Sequence, residues 1–323
     1  MRLPVVRRVE DLSRAHRLIA SLLLDGESAR TTRHSWLGIE MRLSPLAERA
    51  RLDFWYVRWS HWAAGTNKKR GLHMNATRDQ RLEHFNSAIY GHVEGWLGDQ
   101  MSQIVSVIGT ILDTNGVRGS IAEFGVHHGL FLFLLNTLRN EDEECFAIDV
   151  FDEQYLNVDF SGRGSLTMFL SHIETLMPSQ RRFFRIVQRD TLSFSTAEMI
   201  ELFGKKGIKF FSIDAGHTIQ HTCNDLHLVQ EVLVPGGIVA LDDYMSVHWP
   251  GVTEGFYRFM NYENRRLRPL FYFQNKLFLT TGSQHGSVLQ QFRAAIDAMR
   301  SDQVRSDRWK EVEIAGFNCL SFD

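Results

Sequence analysis

Between residues 120 and 281, short apolar runs alternate with segments of helical periodicity, and this alternation constrains the fold more than any other feature. The runs are "GSIAEFGV", "ECFAIDVF", "RRFFRIVQRD", "IKFFSIDAG" and "GGIVALDDY". Between them stand "HGLFLFLLNTLRN", "SLTMFLSHIETLM", "SFSTAEMIELFGKKG" and "TCNDLHLVQEVLVPG". A strand that is apolar throughout needs cover on both faces, and helices that join parallel strands supply it. The pattern predicts an α/β fold around a parallel sheet. After the fifth run a helix, "GVTEGFYRFMNYENRR", precedes "RPLFYFQN" and "KLFLTTG", which read as a hairpin that closes the sheet antiparallel.

The flanks differ in texture. Residues 1–100 carry apolar positions at helical spacing, as in "DLSRAHRLIASLLL" and "RLEHFNSAIYGHVEGWL", and read as a helical region suited to covering a substrate or to self-association. Between those stretches, "HWAAGTNKKRGLHMNATRDQ" is polar and reads as a connector or a lid. Residues 101–282 form the expected core, and 283–323 a C-terminal helix with an extension. Formal charge is −2, from 36 basic and 38 acidic residues, so no global field draws in nucleic acid or an anionic membrane. A small-molecule partner is expected. No run approaches the ~18 apolar residues of a membrane span, and the first residues lack the apolar core of a secretory signal, which makes cytoplasm the expected compartment. Cys145, Cys223 and Cys319 are too scattered for a disulfide framework or a thiolate zinc site.

Ligands of open α/β sheets sit at the carboxyl ends of the strands. The first such end carries Glu123, Gly125 and Gly129 in the spacing E-x-G-x-x-x-G. Glycines there let a ligand approach the backbone, although a tight strand-to-helix turn needs them equally. The spacing is not G-x-G-x-x-G, which counts against a nicotinamide dinucleotide and hence against an oxidoreductase. Asp149 ends the second strand, where a carboxylate can accept both ribose hydroxyls, and Asp190 ends the third, within reach of an adenine amino group. Each alone fits a helix cap. Three in succession point to a nucleoside site.

With these residues the chain resembles the class I S-adenosylmethionine-dependent methyltransferases across roughly residues 100–282. The resemblance implies a Rossmann-like seven-stranded, mostly parallel sheet whose last strand is antiparallel. It also implies S-adenosyl-L-methionine as cofactor, with Glu123 and the Gly125–Gly129 turn at its methionine part, Asp149 at the ribose and Asp190 at the adenine.

Beside that donor site, Asp214 ends the fourth strand and Asp242 with Asp243 ends the fifth. Three carboxylates on neighbouring strands would repel one another, and a hard divalent cation such as Mg2+ relieves the repulsion. Otherwise one caps a helix and another faces solvent. His217, three residues past Asp214, is the side chain suited to accepting a hydroxyl proton near neutral pH, while a polar loop role fits it too. His221 and His248 rank behind it as lining residues, and His127 and His128 read as packing within the glycine turn.

The combination of "IDAGH", "NDL", "VPGGIVALDDY" and "GVTEGF" resembles the macrocin and mycinamicin type O-methyltransferases, together with cephalosporin-hydroxylase-like proteins. That resemblance implies methylation of a hydroxyl on a sugar or glycosylated natural product, with Asp214, Asp242 and Asp243 on Mg2+. Some members place an acidic base two residues after the first ligand, where this chain has Gly216, and His217 inherits the role beside Asp214. A nicotinamide-dependent oxidoreductase, whose ribose Asp149 would equally hold, and a non-catalytic donor-binding or assembly module are the alternatives.

Overall fold

The computed structural model describes residues 35–36, 39–40, 76–299 and 309–322. The chain divides into two compact units, Met1–Lys69 and Arg70–Asp323. In the first, Ser35–Trp36 pairs antiparallel with Ile39–Glu40. "DLSRAHRLIASLLL" and residues 61–75 of the polar segment lie outside the described residues.

The second unit opens with α1, Arg78–His84, whose start is fixed by a reciprocal cap between Thr77 and Gln80. It runs into one π-helical turn, Phe85–Ile89, and is followed by α2, Met101–Thr114. Strands and helices then alternate: β1 Ser120–Phe124, α3 Leu130–Leu135, β2 Cys145–Asp149, α4 Leu166–Leu176, β3 Phe184–Gln188 and α5 Thr196–Phe203. They continue as β4 Ile208–Ile213, α6 Ile219–Val232, β5 Leu233–Leu241, α7 Pro250–Tyr262, β6 Leu267–Phe273 and β7 Lys276–Thr281. The chain closes with α8 His285–Met299, β8 Trp309–Ile314 and β9 Phe317–Phe322. Thus α1 belongs to the same unit as the sheet, as do α8 and the last hairpin. Among the described residues no helix is long and apolar enough to cross a membrane.

The sheet order is β8-β9-β6-β7-β5-β4-β1-β2-β3. From β5 to β3 every pairing is parallel, and β7 enters antiparallel between β5 and β6. The expected seven strands are present as the contiguous run from β6 to β3, but the sheet has nine. The sequence "WKEVEIAGFNCLSF" supplies the other two as a hairpin whose turn residues, Ala315 and Gly316, both take left-handed conformations. Its second strand, β9, runs parallel to β6 through Leu320, Ser321 and Phe322, satisfying backbone groups that an edge at β6 would leave open.

The apolar runs are continuous because successive side chains enter different cores. On β4, Phe210 packs with Phe131 and Phe133 on one face, and Phe211 with Phe124 and Val229 on the other. Each ring, fully buried, contributes on the order of 2–3 kcal/mol of burial free energy. This two-sided burial places the strand ends, and the acids on them, in a fixed row.

Candidate active site

The row of strand ends borders one cavity of about 440 Å³. Glu123, Asp149, Asp190, Asp214, Asp242 and Asp243 all line it, with Gly125 and His217. Parallel strands bring their carboxyl ends to the same edge, so acids scattered over 120 residues of sequence meet here.

Gly125 has φ +77°, and a Cβ there would lie 1.8 Å from the carbonyl oxygen of Asp214. Only glycine lets the turn after β1 pass the end of β4. Gly129, at φ +98°, has a different reason: a Cβ would strike the rings of Phe133 and Phe169 in the interior. It shapes the turn from behind and does not line the cavity.

Asp149 ties that turn to β2. One carboxylate oxygen accepts the backbone N–H groups of Val126 at 2.5 Å and His127 at 2.8 Å, and the other accepts that of Phe151 at 2.5 Å. Burial pushes its pKa up against these three donors. Asp190 accepts the backbone N–H of Leu192 at 3.0 Å, as a cap, and stands 3.8 Å from His221. Glu123 is 2% exposed, and its Oε2 has no hydrogen-bond partner. Burial, then the nearby charge of Asp214, raises its pKa well above the usual carboxylate range.

The acids after β4 and β5 divide. Asp214 and Asp243 gather around His217, whose Nε2 lies 3.7 Å from Asp214 Oδ1 and 3.1 Å from Asp243 Oδ2. One ligand atom from each of these three residues lies within 4.8 Å of the others. Asp242 is engaged elsewhere: Oδ1 accepts the backbone N–H of Asp243 at 2.8 Å, and Oδ2 is bonded to the ammonium of Lys276. Burial, followed by the charge of Asp214, drives its pKa up. Lys276 is itself 2% exposed and lies over the ring of Phe131. Its neighbour Asn275 stands 3.4 Å from Asp243 Oδ1.

Asp159 is a further member that the sequence reading did not include. Its Oδ2 accepts both the backbone N–H of His217 at 2.6 Å and the ring Nδ1–H at 3.0 Å. Ser161 holds the other oxygen through its N–H and its hydroxyl. Trp249 stacks on the imidazole with centroids 4.5 Å apart. Burial alone would lower the pKa of His217, but hydrogen bonds to Asp159, Asp214 and Asp243 outweigh it and push it up to about 11. The three carboxylates thus favour the protonated ring as long as no ion is bound. Neither partner is marked in the sequence: Lys276 meets Asp242 through the pairing Leu241↔Leu277, and nothing in the loop "LNVDFSG" marks Asp159.

The remaining histidines are placed as linings. His221 lines the cavity and bonds Thr218 Oγ1 at 2.7 Å. A Cβ on Gly216 would lie 2.6 Å from the His221 ring, so that imidazole fills the space an acidic side chain at 216 would need. His248 borders the cavity, while His127 and His128 stack at 3.9 Å in the glycine turn. Cys145, Cys223 and Cys319 are free thiols.

The model of a family described as a methyltransferase domain matches residues 122–244, from within β1 to just past β5. No curated protein matches the sequence. Among solved structures, a TDP-rhamnose 3'-O-methyltransferase of calicheamicin biosynthesis is 17% identical, over 72% of this chain and 95% of that one, with a TM-score of 0.44. The mycinamycin-pathway methyltransferase in complex with Mg and SAH is 15% identical, over 78% and 68%, at 0.43. The O-methyltransferase NovP is 14% identical, over 63% and 97%, at 0.44.

Proposed function

We propose that this chain, in which residues 122–244 match a methyltransferase domain, is an S-adenosylmethionine-dependent O-methyltransferase assisted by a divalent cation, with a hydroxyl of a sugar or glycosylated natural product as acceptor. The observation that carries the reading is the single cavity bordered by the glycine turn, the acids after β1 to β3 and the Asp214/His217/Asp243 group. A nucleoside-bearing donor and a polar acceptor need such adjoining regions. The small-molecule acceptor follows from the acidic lining, which repels a phosphate backbone. The sugar class follows from the motif resemblance and from Trp249, an indole that lines the cavity.

The donor set fits a cation. Two carboxylates and an imidazole, with atoms within 4.8 Å of one another, form a site that attracts positive charge. Asp214 and Asp243 would hold the ion, and bound there it would supply Lewis acidity to an acceptor hydroxyl. The protein's own residues do the rest. Gly125 admits the donor to the turn, Asp149 keeps that turn rigid through three backbone N–H groups, and Glu123 offers an oxygen without a partner to an ammonium. In-line displacement at a methyl group depends on alignment, so this rigidity is the main contribution asked of the chain. While no ion is bound, the proton on His217 Nε2 lies between Asp214 and Asp243; an ion taken up there, or a hydroxyl proton, would have to find that atom bare, so cation binding would release this proton.

Isothermal titration with S-adenosylmethionine, followed by transfer of a labelled methyl group to a panel of nucleotide sugars and glycosides with Mg2+ or EDTA, tests the proposal. Cation-dependent labelling of a hydroxyl supports it. Tight binding of a nicotinamide dinucleotide, or donor binding without transfer to any acceptor under either condition, would count against it.

A further inference from the structure

Resting on the proposed cation site, we infer that His217 rather than Asp242 completes it with Asp214 and Asp243, and that Asp159 is the positioning residue that turns His217 toward the ion.

The first argument is subtraction. Both oxygens of Asp242 are committed, one to a backbone N–H and one to Lys276. The lysine cannot withdraw to solvent, being 2% exposed with its ammonium over the ring of Phe131. A divalent ion on the same carboxylate would sit against that ammonium, in surroundings where like charges are poorly screened. Asp242 therefore balances Lys276 and is not free to hold the ion.

The second argument is orientation. Asp159 grips the backbone and the Nδ1 side of the ring at once, at 2.6 and 3.0 Å, and is itself held by Ser161. Trp249 covers one face of the ring. Only Nε2 remains to face the cavity. Histidines that ligate metals characteristically give their other ring N–H to a carboxylate, which fixes the tautomer. The third argument is spacing. Ligand atoms at about 2.1 Å from an octahedral ion stand about 3.0 Å apart at right angles, and about 4.2 Å when opposed. The Nε2 distances of 3.1 and 3.7 Å to Asp243 and Asp214 fall in that interval. A mixed nitrogen and oxygen set also favours Mn2+ over Mg2+ compared with oxygen alone. With Nε2 on the ion, His217 does not take the acceptor's proton.

The test uses full-length chain loaded with Mn2+ and electron spin-echo envelope modulation at neutral pH. Expected is a 14N coupling from a directly bound imidazole, lost in His217→Gln, with Mn2+ affinity about tenfold or more weaker in that variant. The double variant Lys276→Met/Asp242→Asn, which removes the buried pair together, should keep the coupling and bind Mn2+ within about threefold of wild type. Asp159→Asn should weaken Mn2+ about tenfold or more while the coupling survives. Circular dichroism melts check that each variant folds. Bound Mn2+ without a 14N coupling in the wild type, or a larger affinity loss in Lys276→Met/Asp242→Asn than in His217→Gln, overturns the inference. Either outcome leaves methyl transfer standing. Absence of Mn2+ binding overturns the inference together with the cation in the proposed function.

Discussion

Lys276 opens β7 directly across from the residue that follows β5, and its ammonium is bonded to Asp242 inside the protein. Removing one partner of such a pair strands a buried charge, at a cost of about 3–5 kcal/mol. We expect Lys276→Met to lose about that much stability in urea titrations at pH 7. Lys276→Met with Asp242→Asn should recover most of it. Additive losses in the double variant would show that the two side chains do not act as a pair.

Gly216 stands where some members of the resembled subgroup carry an acid, and the His221 ring fills the space a side chain there would need. Gly216→Asp should therefore lower the melting temperature by several degrees, with donor affinity falling as the His221 ring is displaced toward Asp190. His221→Ala in the same chain should restore part of both. Thermal melts and calorimetric titration with S-adenosylmethionine measure the pair; a stable Gly216→Asp protein with wild-type affinity would remove His221 as the reason for the glycine.

How much of this was legible in sequence depends on where each partner comes from. Strands β1 to β5 could be read because both faces are buried, as Phe210 and Phe211 show, and the acids at their ends followed from parallel topology. Gly125 was legible as a close approach. The fate of Asp242 was not, because it depends on an antiparallel strand arriving from 34 residues away with a lysine in register. Asp159 lies in a loop with no periodicity, so only three-dimensional closure brings it to His217. The hairpin of β8 and β9 was hidden by an edge position, where Lys310, Glu311 and Glu313 interrupt the apolar pattern.

His217 should make stability depend on pH in the absence of divalent ions. Its folded pKa, about 11, lies above the ordinary value of 6.5, so the protonated form is the one the fold prefers. The stabilisation is fully present below about pH 6.5, declines as pH rises, and is gone above the folded value. In EDTA the unfolding free energy should fall between pH 7 and 9 by at most about 1.4 kcal/mol per unit. His217→Gln should flatten this slope, and saturating Mn2+ should mask it. A slope unchanged in His217→Gln would assign the titration to another group.

Glu123 sets function against stability. Its carboxyl is buried beside Asp214, and Oε2 lacks a partner, so ionising it in the free protein is unfavourable. The folded pKa lies above the unfolded one, and the resulting penalty is absent at low pH and appears as pH rises above the unfolded value. Glu123→Gln should therefore raise the melting temperature of the free protein at pH 8 but not at pH 4. The same change should weaken S-adenosylmethionine about tenfold, because a neutral amide loses the charge-assisted bond to an ammonium. Paired melts at the two pH values and a donor titration decide the matter. Tighter donor binding by Glu123→Gln would mean that this oxygen faces no cationic group of the ligand.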